Sequence, residues 1–129
     1  MVIDSSALVA ILLREPESDR LVRVALAAPL CLIGAASYLE TCMVMISRNG
    51  PPARLDVDRL VQALRAEVVP FTASQSQRAV DAFLRYGKGR QQGVGLNFGD
   101  CCSYTLAAET ELPQLFKGDD FARTDISVA

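Results

Sequence analysis

Four short, largely apolar runs, Met1–Ile3, Leu30–Ile33, Val68–Val69 and Gln114–Phe116, recur along the chain, and each is separated from the next by longer segments with helical periodicity. A run this short is a buried strand rather than a helix. Strands joined by helical crossovers pair in parallel, and a parallel sheet must be covered on both faces. The pattern therefore predicts an α/β fold, with helices on both faces of a parallel sheet of about five short strands. Asp125–Val128 supplies the fifth strand. Such sheets place ligands at the carboxyl ends of their strands.

The intervening segments carry helix signals. Ser5 or Ser6 can cap a helix over Ala7–Leu13, with Leu8, Ile11 and Leu12 on one side. Glu15-Pro16-Glu17 breaks it, and Ser18–Ala28 repeats the pattern with Leu21, Val22, Ala25 and Leu26. Gly34 opens a helix over Ala35–Arg48, stopped by Asn49-Gly50-Pro51-Pro52. Asp56–Glu67 is amphipathic through Val57, Leu60, Val61 and Leu64. A further helix begins at Thr72 or Ser74 and ends near Tyr86, a basic Gly-rich loop spans Gly87–Gly95, and a last helix runs from Asn97 or Gly99 to about Glu109. No repeat or linker divides the chain, so residues 1–129 are expected to form a single domain.

Half the residues are hydrophobic, enough for a real core. No apolar stretch approaches the ~20 residues of a membrane span, and residues 1–13 do not read as a leader. The expected protein is soluble and cytoplasmic. Cys31, Cys42, Cys101 and Cys102 form no C-x-x-C pair and there is no histidine, which argues against zinc sites built on Cys/His spacing. Ser-His-Asp and Cys-His catalysis are excluded for the same reason. The cysteines read as buried and reduced. An enzyme here must work with carboxylates, hydroxyls, lysines or metals. The net charge of −2 does not mark a general nucleic-acid binder. Basic residues do gather locally: Arg14, Arg20 and Arg23, then Lys88 and Arg90, then Lys117 and Arg123.

Three acids stand alone in apolar company. Asp4 is the only charged residue between Met1 and Leu13, Glu40 the only one between Pro29 and Ser47, and Asp100 the only one between Gln91 and Ala108. A buried carboxylate is paired, protonated or given a cation. No Lys or Arg lies in these segments, so the economical solution is a shared divalent ion. All-oxygen ligation favours Mg²⁺ or Mn²⁺. Asp4 ends the first strand, Glu40 lies one to two turns into the helix after the second, and Asp100 lies in the first turn of the last long helix. Asp119 and Asp120 follow the fourth strand, and these places fall near one edge of a parallel sheet. Taken singly, Asp4 and Asp100 also read as helix-start residues and Asp119-Asp120 as a turn.

These residues resemble a known family. Val2-Ile3-Asp4-Ser5-Ser6-Ala7-Leu8 resembles the first strand and turn of PIN domains, specifically those of VapC-type toxins, with Ser5 where Thr is commoner. Leu96-Asn97-Phe98-Gly99-Asp100-Cys101 resembles the third acidic motif. Leu115-Phe116-Lys117-Gly118-Asp119-Asp120-Phe121, with Thr124-Asp125-Ile126, resembles the closing motif, and Glu40 falls at the family's helical acid. The resemblance implies a three-layer α/β/α fold and a Mg²⁺- or Mn²⁺-dependent endoribonuclease acting as the toxin of a VapBC-type toxin–antitoxin pair. It also implies RNA as substrate, a VapB-type antitoxin as partner and a homodimer.

On this reading Asp4 and Asp100 hold the metal, and Glu40 and Asp119 complete the site, with Asp120 as the alternative to Asp119. Ser6 or Asn97 orients a carboxylate or water, or serves only as a cap. Lys88 and Arg90 steer phosphates. Three rival readings fit these residues less well. An Asp-based metal-dependent phosphatase would carry a second Asp where Ser6 stands. A receiver-like domain would need an acidic pair after the first strand and an Asp where Pro70 follows Val69. A PIN domain that binds RNA or antitoxin without cutting would not need all four acids.

Overall fold

The computed structural model of the chain describes residues 1–90 and 94–129. Residues 91–93 of the predicted Gly87–Gly95 loop lie outside the described residues. Its strands are β1 (Val2–Ile3), β2 (Leu32–Gly34), β3 (Glu67–Val69) and β4 (Gln114–Leu115). Its helices are α1 (Ser5–Leu12), α2 (Ser18–Ala27), α3 (Ala35–Asn49), α4 (Ala53–Ala63), α5 (Ala73–Tyr86) and α6 (Phe98–Thr110). The sheet has the order β3-β2-β1-β4 and every pairing is parallel.

Alternation along β1 sorts the layers. Ile3, Ile33 and Leu115 point to one face, against Ala7 and Leu8 of α1, Leu21 and Ala25 of α2, and Leu64. Val2 and Leu32 point to the other, against Leu106 and Ala107 of α6. The result is the three-layer α/β/α arrangement expected of strands buried on both faces. Full burial of side chains such as Leu8, Leu21 and Ile33 contributes about 1.5–3 kcal/mol each. A further cluster joins α5 to α6 through Ala82, Tyr86, Cys101 and Tyr104, and includes Phe116 and Phe121 beyond β4. All four cysteines are free and buried, as the sequence predicts.

Local expectations needed correction in four places. The fifth strand is reduced to a single parallel bridge between Gln114 and Val128, because the segment leading to it, around residues 119–127, is taken up by turns and bends. The Asp56–Glu67 helix begins at Ala53 and ends at Ala63. Pro52 precedes its first turn, and Arg65 takes a left-handed φ of 52° that frees Glu67 to enter β3. The first helix starts two residues early, at Ser5, and its cap is Asp4 rather than Ser5 or Ser6. The second strand runs Leu32–Gly34 rather than Leu30–Ile33. Among the described residues no helix is long and apolar enough to cross a membrane.

Candidate active site

Asp4 leaves β1 and caps α1 in one step. Its Oδ2 accepts the Ser6 backbone N–H at 2.9 Å and the Ser6 hydroxyl at 2.6 Å. The residue is 2% exposed, and Oδ1 is buried with no partner within hydrogen-bonding distance. Burial pushes the carboxyl above its ordinary value; the Ser6 bonds and the nearby Ser103 hydroxyl oppose the shift, and the charge of Glu40 adds to it. Ser6 Oγ also accepts the backbone N–H of Lys117 at 3.0 Å, so one hydroxyl ties the end of β1 to the segment leaving β4.

Asp100 stands at the third position of α6, where an anion meets the positive end of the helix dipole. It forms a capping box with Asn97: the Asp100 carboxylate accepts the Asn97 backbone N–H at 2.8 Å, and the Asn97 side chain accepts that of Asp100 at 3.0 Å. Even so, its pKa is pushed up to about 6, first by burial and then by the charges of Asp4, Asp120 and Glu40, with the Asn97 contact opposing.

Glu40 sits in the second turn of α3 and accepts the Ser5 hydroxyl at 2.8 Å. Its approach to α6 depends on Gly99. A Cβ there would lie 2.5 Å from Glu40 Oε2 and 3.0 Å from Oε1. Only a residue without a side chain lets the carboxylate lie against the first turn of that helix.

The adjacent pair after β4 divides. Asp120 is the one whose charge acts on Asp100. Asp119 is exposed and lines a separate hollow with Glu17, Arg20 and Lys117, and it is not among the principal charges acting on Asp4 or Asp100. Lys117 does not neutralise the acids. Its ammonium pairs with Glu15, and with Glu17 at 3.4 Å, in the connection between α1 and α2.

Sequence reasoning missed four neighbours of the cluster. Ser5 holds Glu40, Gly99 admits it, Ser103 lies beside Asp4, and Gln114 donates to Ser103. Two of these had a signal. Ser103 follows Asp100 by three residues and so shares its helix face. Gln114 is a lone polar side chain in an otherwise apolar strand.

Unpaired Oδ1 of Asp4 and an all-oxygen donor set suit a hard divalent cation. Among the described residues no three acidic side chains, as they stand, are close enough to share one ion. Their hydrogen bonds to Ser6, Ser5 and Asn97 turn them toward separate donors. Beside the acids, α5 and α6 bound an apolar hollow of about 430 Å³, lined by Phe71, Val80, Phe83, Phe98 and Cys101 among others. Phe98 projects beside it, 81% exposed.

A parallel α/β/α sheet with acids after β1, on α3 and at the start of α6 defines a PIN-type domain. The chain belongs to that family: the PIN domain profile matches residues 1–127. Within it the chain is similar to Ribonuclease VapC30 of Mycobacterium tuberculosis, 44% identical over 127 residues that cover 98% of this chain and 96% of that protein. Among solved structures it resembles VapC20 of Mycobacterium tuberculosis, described as a sarcin–ricin loop cleaving toxin, with a TM-score of 0.80, 15% identity, and coverage of 99% and 97% of the two chains. A chain of a toxin–antitoxin complex from Klebsiella pneumoniae matches at TM-score 0.74 and 15% identity, covering 99% and 95%. At such identities the likeness is one of fold.

Proposed function

We propose that this chain is a Mg²⁺- or Mn²⁺-dependent endoribonuclease, the toxin of a VapBC-type pair. The observation that carries the reading is the convergence of Asp4, Glu40, Asp100 and Asp120, where Asp100 feels three other negative charges and its carboxyl is held near 6. Carboxylates gathered near the carboxyl edge of a sheet, one of them fully buried, are a liability unless a cation draws them together. The 44% identity to a named ribonuclease over nearly the whole chain supports RNA as the substrate.

Asp4 and Asp100 are the residues that would hold the ion, with Glu40 and Asp120 completing the set, and Asp119 displaced from the role. When bound, the ion supplies Lewis acidity toward water and toward the phosphodiester oxygens. The chain's own contribution is placement. Ser6 fixes Oδ2 of Asp4 through two bonds and leaves Oδ1 free. Ser5 and Gly99 bring Glu40 against α6. Asn97 holds Asp100 at the helix start, where the dipole favours its charged form. Lys88 and Arg90 are exposed on the segment entering the site, and their charge draws phosphates toward an otherwise acidic cleft.

Two protein partners belong to this reading. A VapB-type antitoxin would cover the acids with a cationic side chain, which the cluster attracts. A second copy of the chain would cover the α5–α6 face. An isologous contact needs knob and hollow on one patch, and Phe98 beside the Phe71–Phe83 hollow provides both. Phe71, Val80, Phe83, Leu84 and Phe98, with Leu39 and Met43 on neighbouring α3, are each more than a third exposed.

Incubating the antitoxin-free protein with a panel of structured and single-stranded RNAs, with Mg²⁺ and with EDTA, tests the activity. Cleavage that needs the metal and disappears in Asp4→Asn is the expected result. Cleavage unaffected by EDTA, or by Asp4→Asn, would reject the mechanism.

A further inference from the structure

Among the described residues, two buried side-chain oxygens lack a hydrogen-bond partner: Asp4 Oδ1 and Gln114 Oε1. One residue links them. Gln114 Nε2 donates to Ser103 Oγ at 2.8 Å, and the Ser103 hydroxyl lies beside the Asp4 carboxylate. Exposure is 0% for Gln114, 1% for Ser103 and 2% for Asp4.

Strand register explains the meeting. Val2 of β1 pairs with Gln114 of β4, so their side chains share a face of the sheet. Val2 packs against α6. Asp4 lies two residues beyond Val2 and points to the same side by strand alternation. Ser103 lies one turn beyond Asp100 on the helix that covers this face. A primary amide buried in a strand is costly when one of its atoms is unmatched. An aliphatic residue would fill the position without that cost, so the amide calls for a role.

Hydrogen-bond polarity supplies it. A serine hydroxyl has one hydrogen and two lone pairs. With Nε2 donating into Oγ, the single Ser103 hydrogen is left to give, and the neighbouring Asp4 carboxylate has one oxygen, Oδ1, without a partner. We propose that Gln114 and Ser103 form a buried relay that positions Asp4: the amide fixes the rotor of Ser103, and Ser103 steers the free oxygen of Asp4 toward the divalent ion. Both are positioning residues. The inference rests on the carboxylate site reading and adds to it two residues far from Asp4 in the chain.

Mn²⁺ binding to the metal-free protein, measured without RNA by calorimetry or spin resonance, tests the relay. Ser103→Ala is expected to weaken binding by about ten- to a hundredfold, the usual range for groups that orient a metal ligand. Ser103→Thr, which keeps the hydroxyl, is expected to stay within a few fold of the parent. Gln114→Leu weakens binding in the parent but adds nothing in the Ser103→Ala background, because its effect passes through Ser103. A merely structural pair would lower the melting temperature and leave Mn²⁺ affinity unchanged. Wild-type affinity in Ser103→Ala, or a Gln114→Leu effect that persists without Ser103, overturns the relay. Asp4→Asn separates the two levels. If it abolishes Mn²⁺ binding while Ser103→Ala does not, the relay alone fails; if it too binds normally, the site reading and the relay fail together.

Discussion

Replacing Asp100 by Asn should stabilise the metal-free protein at neutral pH while removing its response to Mg²⁺. Asp100 ionises at 3.8 in an unperturbed aspartate and near 6 here, chiefly because of burial and then because of Asp4, Asp120 and Glu40. Between those values the folded chain holds a proton that the unfolded chain has released. The stabilisation from this group is therefore complete below about 3.8 and is lost as pH rises through about 6. The interval corresponds to about 3 kcal/mol at roughly 1.36 kcal/mol per pH unit. Asp100 is only half-buried, so solvent screening reduces this to on the order of 1 kcal/mol. Asparagine is nearly isosteric and keeps an oxygen to accept the Asn97 N–H, so the cap survives. In EDTA at pH 7.5, Asp100→Asn should melt roughly 3–5 °C above the parent, a shift scaled to a domain of this length. By pH 4.5 the gap should narrow toward zero. Addition of Mg²⁺ should raise the melting temperature of the parent and leave the variant nearly unmoved. Scanning calorimetry across pH, with and without the ion, reads all three. A variant less stable than the parent in EDTA at pH 7.5, or a gap indifferent to pH, would refute the reasoning.

Other expectations follow from the same geometry. Asp120→Asn should lower Mg²⁺-dependent RNA cleavage by about ten- to a hundredfold, and Asp119→Asn should stay within about twofold; single-turnover cleavage rates compare them, and the reverse order would restore Asp119 to the site. Gly99→Ala places a Cβ 2.5 Å from Glu40 Oε2 and must turn that carboxylate aside, so single-turnover cleavage should slow, a loss that Gly95→Ala, where no such contact exists, does not share. Phe98→Asp should convert a dimer to a monomer in light scattering, and a monomeric parent would refute the assigned face. Lys88→Ala combined with Arg90→Ala should weaken RNA binding and flatten its salt dependence by up to two counterions' worth of slope, measured by fluorescence anisotropy.

Much of the architecture was legible because it is local. The apolar runs of two to four residues, the Asn49-Gly50-Pro51-Pro52 stop, the helix start at Thr72 or Ser74 and the start at Asn97 or Gly99 all act within a few residues, and the corresponding elements appear close to where those signals stand. Boundaries slipped where a neighbour in space decided them. Val128 reaches only a single bridge because turns and bends take up the chain between β4 and that residue. Asp4 takes the cap that Ser5 and Ser6 could have filled because each hydroxyl is drawn elsewhere: Ser5 turns to Glu40, and Ser6 reaches both Asp4 and the backbone of Lys117.

The isolated acids Asp4, Glu40 and Asp100 were identifiable from the chain alone, because a charge without local company in an apolar segment advertises its own desolvation cost. Which member of Asp119-Asp120 lies nearer to Asp100 could not be read that way. Both occupy the same turn with the same chemistry, and only the path of the chain after Gly118, with its left-handed φ of 94°, sends one toward Asp100 and the other toward Arg20. The pairing of Gln114 with Ser103 and the fit of Glu40 against Gly99 have the same origin. They join residues 11 and 59 positions apart, and contacts across such distances depend on how helices and strands pack, which no local pattern records.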